Sequence, residues 1–193
     1  MSFPLKRRVI FFATGNINKF KEAQKVLSKR GITVAMLRMK SSEIQSDSLE
    51  EIACTSAAEA FEECHLPIIV EDAGLFVDAL KGFPGPYASY VYRTIGNEGL
   101  LRLMEKTGNR RASFRSVIAY CSIDTELPTC FGGEVIGEIV REERKGRSGF
   151  GFDPIFKPED SYKTFAEMSI SEKNGRSHRA KALRKFAAWY KKR

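Results

Sequence analysis

Histidine and cysteine are scarce. The 193 residues include two histidines, His65 and His178, and four cysteines, Cys54, Cys64, Cys121 and Cys130, none in a C-x-x-C pair. A zinc site built from thiolates and imidazoles is thereby excluded. The cysteines lie far apart and are expected to be free thiols that mostly serve packing. No apolar run approaches the length of a membrane span, and Met1 to Arg8 is a short polar lead rather than a signal peptide. A cytoplasmic protein with no membrane partner is the expectation. Repeats, low-complexity tracts and disordered linkers are also missing, which argues against an array or a tethered tail.

What is present suits one folded unit. Hydrophobic residues make up 42% and aromatic residues 11% of the chain, enough for a sizeable core within a single domain spanning 1–193. The formal charge is +8, with much of the excess in the tail as Lys173, Arg176, Arg179, Lys181, Arg184, Lys185, Lys191, Lys192 and Arg193. Such a field favours polyanions, either nucleic acid or a triphosphate on a small molecule, and charge alone does not choose between them.

The chain is organised around Ile68-Ile69-Val70-Glu71-Asp72-Ala73-Gly74. A β-branched run reads as a buried strand that delivers two adjacent carboxylates to a glycine-marked turn. Acid at a strand end suits a divalent cation or a general base, although two charges on a solvated turn would look the same. Upstream, Val9 to Ala13 reads as a strand, Thr14-Gly15-Asn16 as a turn, and Phe20, Ala23 and Leu27 as one face of a helix. Gly15 permits a tight backbone turn, the helix N-terminus favours anions, and Lys19 adds a point charge. Phosphate is the natural guest, yet the string is not a Walker A loop and equally fits an ordinary strand-to-helix turn.

Thr33 to Met39 reads as a second strand, followed by a polar loop with Glu43. Ser48-x-x-Glu51 is a capping-box pattern opening a helix whose stripe is Leu49, Ile52, Ala53, Ala57, Ala60 and Phe61. Gly82 to Tyr87 is too rich in Gly and Pro for a helix or central strand and is expected to be a shaped loop. A further helix carries Leu100, Leu101 and Met104 and is expected to end near Gly108. Ala112 to Ile123 and Thr129 to Val140 read as a hairpin that could project as a second lobe. Near the end, Gly149 and Gly151 flank Phe150, Phe152 and Asp153, an arrangement that suits a stacked base. Ser177 reads as the N-cap of a last helix, which puts His178 and Arg179 in a first turn where cations are disfavoured.

Together these segments resemble the inosine-triphosphate pyrophosphatase family. The resemblance rests on Thr14-Gly15-Asn16-Ile17-Asn18-Lys19, Val70-Glu71-Asp72-Ala73-Gly74-Leu75, Pro84-Gly85-Pro86-Tyr87, Gly149-Phe150-Gly151-Phe152-Asp153-Pro154, Phe165-Ala166-Glu167-Met168 and Glu172-Lys173-Asn174-x-x-Ser177-His178-Arg179. It implies an α/β fold with a long central mixed sheet flanked by helices, two lobes around a nucleotide-binding cleft, and a homodimer. The implied reaction converts ITP, dITP or XTP to the monophosphate and pyrophosphate with Mg2+, for which Mn2+ can substitute. By this similarity Asp72 is the catalytic acid/base and a metal contact, and Glu43 is a second metal ligand. Residues Thr14 to Lys19 hold the phosphates, with Lys173 neutralising the leaving pyrophosphate. Ala73, Phe150, Gly151, Phe152, Asp153, Lys173, His178 and Arg179 complete the substrate site, where donors such as Arg179 suit a 6-oxo purine and oppose the 6-amino group of adenine.

Three positions depart from the family pattern. Ser56 stands where relatives carry a phosphate-facing lysine, Phe152 where Tyr or Trp is frequent, and Ala73 where Ser or Thr is common. Two other readings compete: a Maf-like nucleotide pyrophosphatase, and a basic nucleic-acid-binding protein. No stable nucleic-acid partner is expected under the favoured reading.

Overall fold

The computed structural model describes residues 9–39, 44–146 and 149–193. In chain order the elements are β1 (Val9–Ala13), α1 (Ile17–Ser28), β2 (Thr33–Leu37), α2 (Leu49–Cys64), β3 (Ile68–Val77), β4 (Pro84–Gly85), α3 (Ala88–Thr94), α4 (Gly96–Leu103), β5 (Arg111–Cys121), β6 (Thr129–Ile139), β7 (Phe156–Pro158), α5 (Ile170–Arg176) and α6 (His178–Tyr190). The sheet order is β2-β1-β3-β5-β6-β7, with β4 added on β3. Strand β1 is parallel to β2 and β3, and the other pairings are antiparallel. This is the long mixed sheet that the resemblance implies. Helices α1 and α2 are the crossovers that parallel neighbours require.

Strand alternation sorts the core. Ile10, Phe12, Ile69 and Ile118 meet Ala23 and Leu27 of α1 and Leu183 and Phe186 of α6 on one face. Ile68, Val70 and Ala119 meet the small residues Ala53, Ala57 and Ala60 of α2 on the other. Beyond them, Leu75, Val77, Phe114, Phe156 and Phe165 pack with Leu100 and Met104 of α4. Burying each large side chain contributes about 1.5–3 kcal/mol. Among the described residues no helix is long and apolar enough to cross a membrane.

Four expectations are corrected. Asp72 does not sit at a strand end, because β3 runs on through Gly74 to Val77. Glycine is needed at 74 for a different reason: β4 pairs with the next two residues, Leu75 and Phe76, and a Cβ at 74 would collide with the Gly85 carbonyl. The β5–β6 hairpin does not stand by itself: β3 extends alongside it, pairing with β5 from Cys121–Ile68 to Ala112–Val77, and the far halves of these strands share a core of their own with α3, α4 and β7. Helix α4 ends at Leu103 with Met104 as its cap, well before Gly108. Cys54 of α2 is paired with Cys130 of β6 in a disulfide, leaving Cys64 and Cys121 as free thiols.

Candidate active site

Helix α1 begins as the sequence predicts, but its capping changes what the first turn can offer. Asn16 Oδ1 accepts from the amides of Asn18 at 2.9 Å and Lys19 at 3.2 Å, and the Asn16 amide donates to Thr14 Oγ1 at 3.1 Å. Three of the N–H groups expected to face phosphate are thus already satisfied. The amides of Gly15 and Ile17 make no hydrogen bond among the described residues. Gly15 has no left-handed backbone to explain it, and the space where its Cβ would lie is open. A ligand can therefore approach the backbone closely.

The register between β1 and β3 sets where this turn lies. Phe11 pairs with Ile68 and Phe12 with Ile69, so Thr14 and Gly15 follow at the level of Glu71 and Asp72. The two acids then part company, because successive side chains point to opposite faces. Glu71 enters the α1–α6 face, and Asp72 shares the α2 face of Val70 and is half-buried.

On the first face lies a buried ionic network. Lys19 Nζ reaches Glu71 Oε2 at 2.9 Å and the Glu71 carbonyl at 3.3 Å. Ser116 Oγ donates to Glu71 Oε1 at 2.7 Å, and Arg179 Nε to the same oxygen at 3.0 Å. Arg179 Nη1 also pairs with Glu22 Oε2. Lys173 Nζ joins Glu22 Oε1 at 2.8 Å and Asp153 Oδ2 at 2.6 Å, and the Phe150 amide donates to Asp153 Oδ2 at 2.8 Å. The half-buried Phe150 ring covers the cations, with Lys173 Nζ 4.7 Å and the Arg179 guanidinium 5.5 Å from its centroid.

Burial opposes charge on each of these groups, and pairing overcomes it. Glu71 is held far below the ordinary carboxylate range because Arg179 and Lys19 outweigh its desolvation. Glu22 is lowered likewise against its burial, by Arg179 and Lys173. Arg179 is pushed above the ordinary arginine value, its desolvation being outweighed by Glu71 and Glu22. His178 goes the other way: burial first, then Arg179, keep it neutral well below the usual histidine range. Its ring stacks on Phe114 at 4.8 Å, and Nδ1 is buried with no partner among the described residues.

The sequence places Lys19, Asp72 and Arg179 in one pocket, and the structure brings the first and last of them together. Lys19 and Arg179 converge on Glu71, while Asp72 faces the other side of β3. Lys173 lies with Glu22, Asp153 and Phe150. Phe152 is only 3% exposed and packs edge-on against Tyr92 at 5.6 Å, a core position rather than a stacking face. Gly151 adopts a left-handed turn behind Phe150, and Ala73 pairs with Ser116. Ser56 is buried in α2. Glu43 lies outside the described residues. A cavity of 390 Å³ opens on the Asp72 face, between Asp47 and Leu49 at the start of α2 and Phe76, Arg115, Val117 and Glu134 of the sheet.

Two members of the network are absent from the sequence reading, Glu22 and Ser116. Glu22 had a legible signal: it lies three residues after Lys19 and four before Val26, inside the buried stripe of α1, where a lone carboxylate demands a partner. Ser116, in the middle of a strand, carried none. The basic tail also proves less free than its charge suggests. Lys181 and Lys185 donate to the carbonyls of Glu134 and Gly132, Arg184 to that of Asn174, and Arg193 to that of Asp124. The seat of α6 explains another glycine, since a Cβ at Gly133 would strike the His178 carbonyl.

Comparison with known proteins places the chain in a family. A dITP/XTP pyrophosphatase of Methanopyrus kandleri is 52% identical over 182 residues, covering 94% of this chain and 96% of that protein. One of Thermococcus kodakarensis, also described as a dITP/XTP pyrophosphatase, is 50% identical over 180 residues, 93% of this chain and 96% of its own. Among solved structures, a HAM1 protein of Coxiella burnetii superposes with a TM-score of 0.83 at 29% identity, over 96% of this chain and 99% of that one. The model of the Ham1 family matches residues 10–189, and the chain belongs to that family.

Proposed function

We propose that this chain hydrolyses non-canonical purine nucleoside triphosphates, ITP, dITP and XTP, to the monophosphate and pyrophosphate. The observation that carries the reading is the similarity to the Methanopyrus pyrophosphatase over 94% of the chain. In this reading the triphosphate lies over Gly15, where free amides, the N-terminus of α1 and Lys19 favour anionic oxygens. Asp72, level with that turn, accepts the proton of the attacking water or contacts the metal.

The donor set fits a hard cation. Asp72 and Glu43 offer carboxylate oxygens only. An ion that binds through one or two carboxylates and the substrate's own phosphates matches this set, so Asp72 and Glu43 would hold Mg2+, or Mn2+ in its place. Such an ion neutralises phosphate charge and makes bound water easier to deprotonate.

Base selection falls to the network behind Phe150. Arg179 commits Nε and Nη1 to carboxylates, leaving Nη2 for a ligand. The orphaned Nδ1 of neutral His178 needs a partner, which a base edge can provide. A 6-oxo purine accepts from Arg179, whereas the 6-amino group of adenine sets donor against donor and strands a buried polar group. Neither the Maf-like nor the nucleic-acid reading has an observation in its favour beyond the tail charge, much of which is engaged internally. A homodimer belongs to the proposal; light scattering that returned the 21.8 kDa mass of one chain would count against it.

The test is a side-by-side assay of ITP, dITP, XTP, dTTP and ATP with product analysis. Pyrophosphate from the first three is expected, with ATP slower by about 100-fold or more. Comparable turnover of ATP and ITP rejects the selectivity argument. Asp72→Asn should abolish most turnover while the fold survives, and an active variant means that the acid has been misplaced.

A further inference from the structure

A second cationic cavity lies away from the nucleotide site. It measures 210 Å³ and is lined by Lys25, Lys29 and Arg30 at the end of α1, Ser171 and Asn174 of α5, and Arg184 of α6. No carboxylate is in that lining, and its four cations form no ion pair among the described residues. Arg184 is held in place by hydrogen bonds to the carbonyls of Asn174 at 2.8 Å and Gly175 at 3.4 Å. Partial burial, and then Arg30, lower its affinity for a proton. The repulsion is not relieved from within the protein.

Helix ends account for part of this. Cations are favoured at helix C-termini, which explains Lys25, Lys29 and Arg30 at and just past the end of α1 and Arg184 of α6 against the last carbonyls of α5. It does not explain why two such ends converge on one cavity whose lining holds no counter-charge. Asn174 supplies an independent sign. The residue is 9% exposed, and its Nδ2 donates to the Glu22 carbonyl at 3.2 Å, which fixes which way the amide points. Its Oδ1 is buried with no partner. A buried acceptor in that state calls for a donor.

We propose that this cavity binds a phosphate-class oxyanion, inorganic phosphate or pyrophosphate, at a site separate from the triphosphate turn. The four cations supply the charge. A hydrogen phosphate or hydrogen pyrophosphate also carries a P–OH that can donate to Asn174 Oδ1, which sulfate lacks. The volume lies below the roughly 300–1,000 Å³ typical of sites for larger ligands, so a whole nucleotide is excluded. Asn174 also grips the backbone of Glu22, whose side chain pairs with Lys173 and Arg179. An anion here therefore adjoins the network behind Phe150.

The site is tested by amide NMR on the full chain, titrated without divalent metal with inorganic phosphate, pyrophosphate or sulfate. Saturable shifts are expected at Ser171, Gly175 and the Asn174 side-chain amide, with either phosphate species binding at least about fivefold more tightly than sulfate. Lys29→Glu combined with Arg30→Glu should weaken this response at least about tenfold and leave the response of Thr14 to Lys19 unchanged. Lys29 is exposed and Arg30 half-buried, and the unchanged spectrum elsewhere reports an intact fold. No saturable shift at these amides, equal binding of sulfate, or wild-type affinity in the double variant each overturns the proposal. Because the readout is local, failure of this site and failure of the nucleotide assay are distinguishable.

Discussion

Arg179→Met removes the guanidinium that ties Glu22 to Glu71 while keeping most of the side chain's bulk. Breaking a buried ion pair from one side costs about 3–5 kcal/mol, because the partner is left charged and poorly solvated. Here each carboxylate keeps a second cation, Lys173 at 2.8 Å from Glu22 and Lys19 at 2.9 Å from Glu71, so the lower end, about 3 kcal/mol, is expected. That is a change of roughly 100-fold in the folded-to-unfolded ratio. Urea unfolding at pH 7, followed by circular dichroism, measures it as a shift in midpoint at constant slope. The loss should also shrink at pH 4. In the wild type, Glu22 and Glu71 titrate below their ordinary value of 4.5, and the stability they lend is lost as they are protonated; in the variant, with one cation fewer at each carboxylate, less is lost. A loss under about 1 kcal/mol, the scale of a surface pair, or an equal loss at both pH values, refutes the assignment of a buried network.

Other expectations follow from the same geometry. Wild-type stability should decline in two stages on acidification: first below about 6.5, the ordinary histidine value, because the unfolded chain takes up a proton that buried His178 refuses. The second stage begins below about 4.5, where unfolded Glu22 and Glu71 protonate before their folded counterparts; a melting temperature flat from pH 7 to 4 contradicts both. Gly74→Ala forces a Cβ onto the Gly85 carbonyl and should cost about 1–3 kcal/mol in thermal unfolding, whereas a neutral result means that β4 can move aside. Lys19→Ala should raise KM and lower kcat together for ITP, and unchanged kinetics would remove the first helix turn from the phosphate site.

Much of the fold is legible from periodicity. The apolar runs of β1 and β3, the stripes of α1 and α2, and the long β5–β6 hairpin all lie where the patterns put them. Ser177 caps α6 as predicted, its Oγ accepting from the Ala180 amide. The placement of His178 and Arg179 in that first turn, odd against the helix dipole, is explained by carboxylates from α1 and β3 that no local pattern reveals. Short elements escape: β7 has three residues, too few for a period. Helix α5 does carry a local signal, since Ser169-x-x-Glu172 forms a complete capping box. At Ser48-x-x-Glu51 the pattern is only half realised, because the Glu51 carboxylate accepts from Ser46 Oγ at 2.6 Å instead. What sequence could not separate was Glu71 from Asp72. Adjacent in the chain, they serve opposite faces of the sheet, and only the register with β1 and β5 shows which one meets Arg179.

The most direct measurement is the fate of solvent oxygen during turnover of ITP in H2(18)O with Mg2+, read by mass spectrometry of both products. Attack at the α-phosphorus beside Asp72 predicts one heavy oxygen in IMP and none in pyrophosphate. Label in pyrophosphate, release of orthophosphate as the first product, or no turnover at all would contradict it.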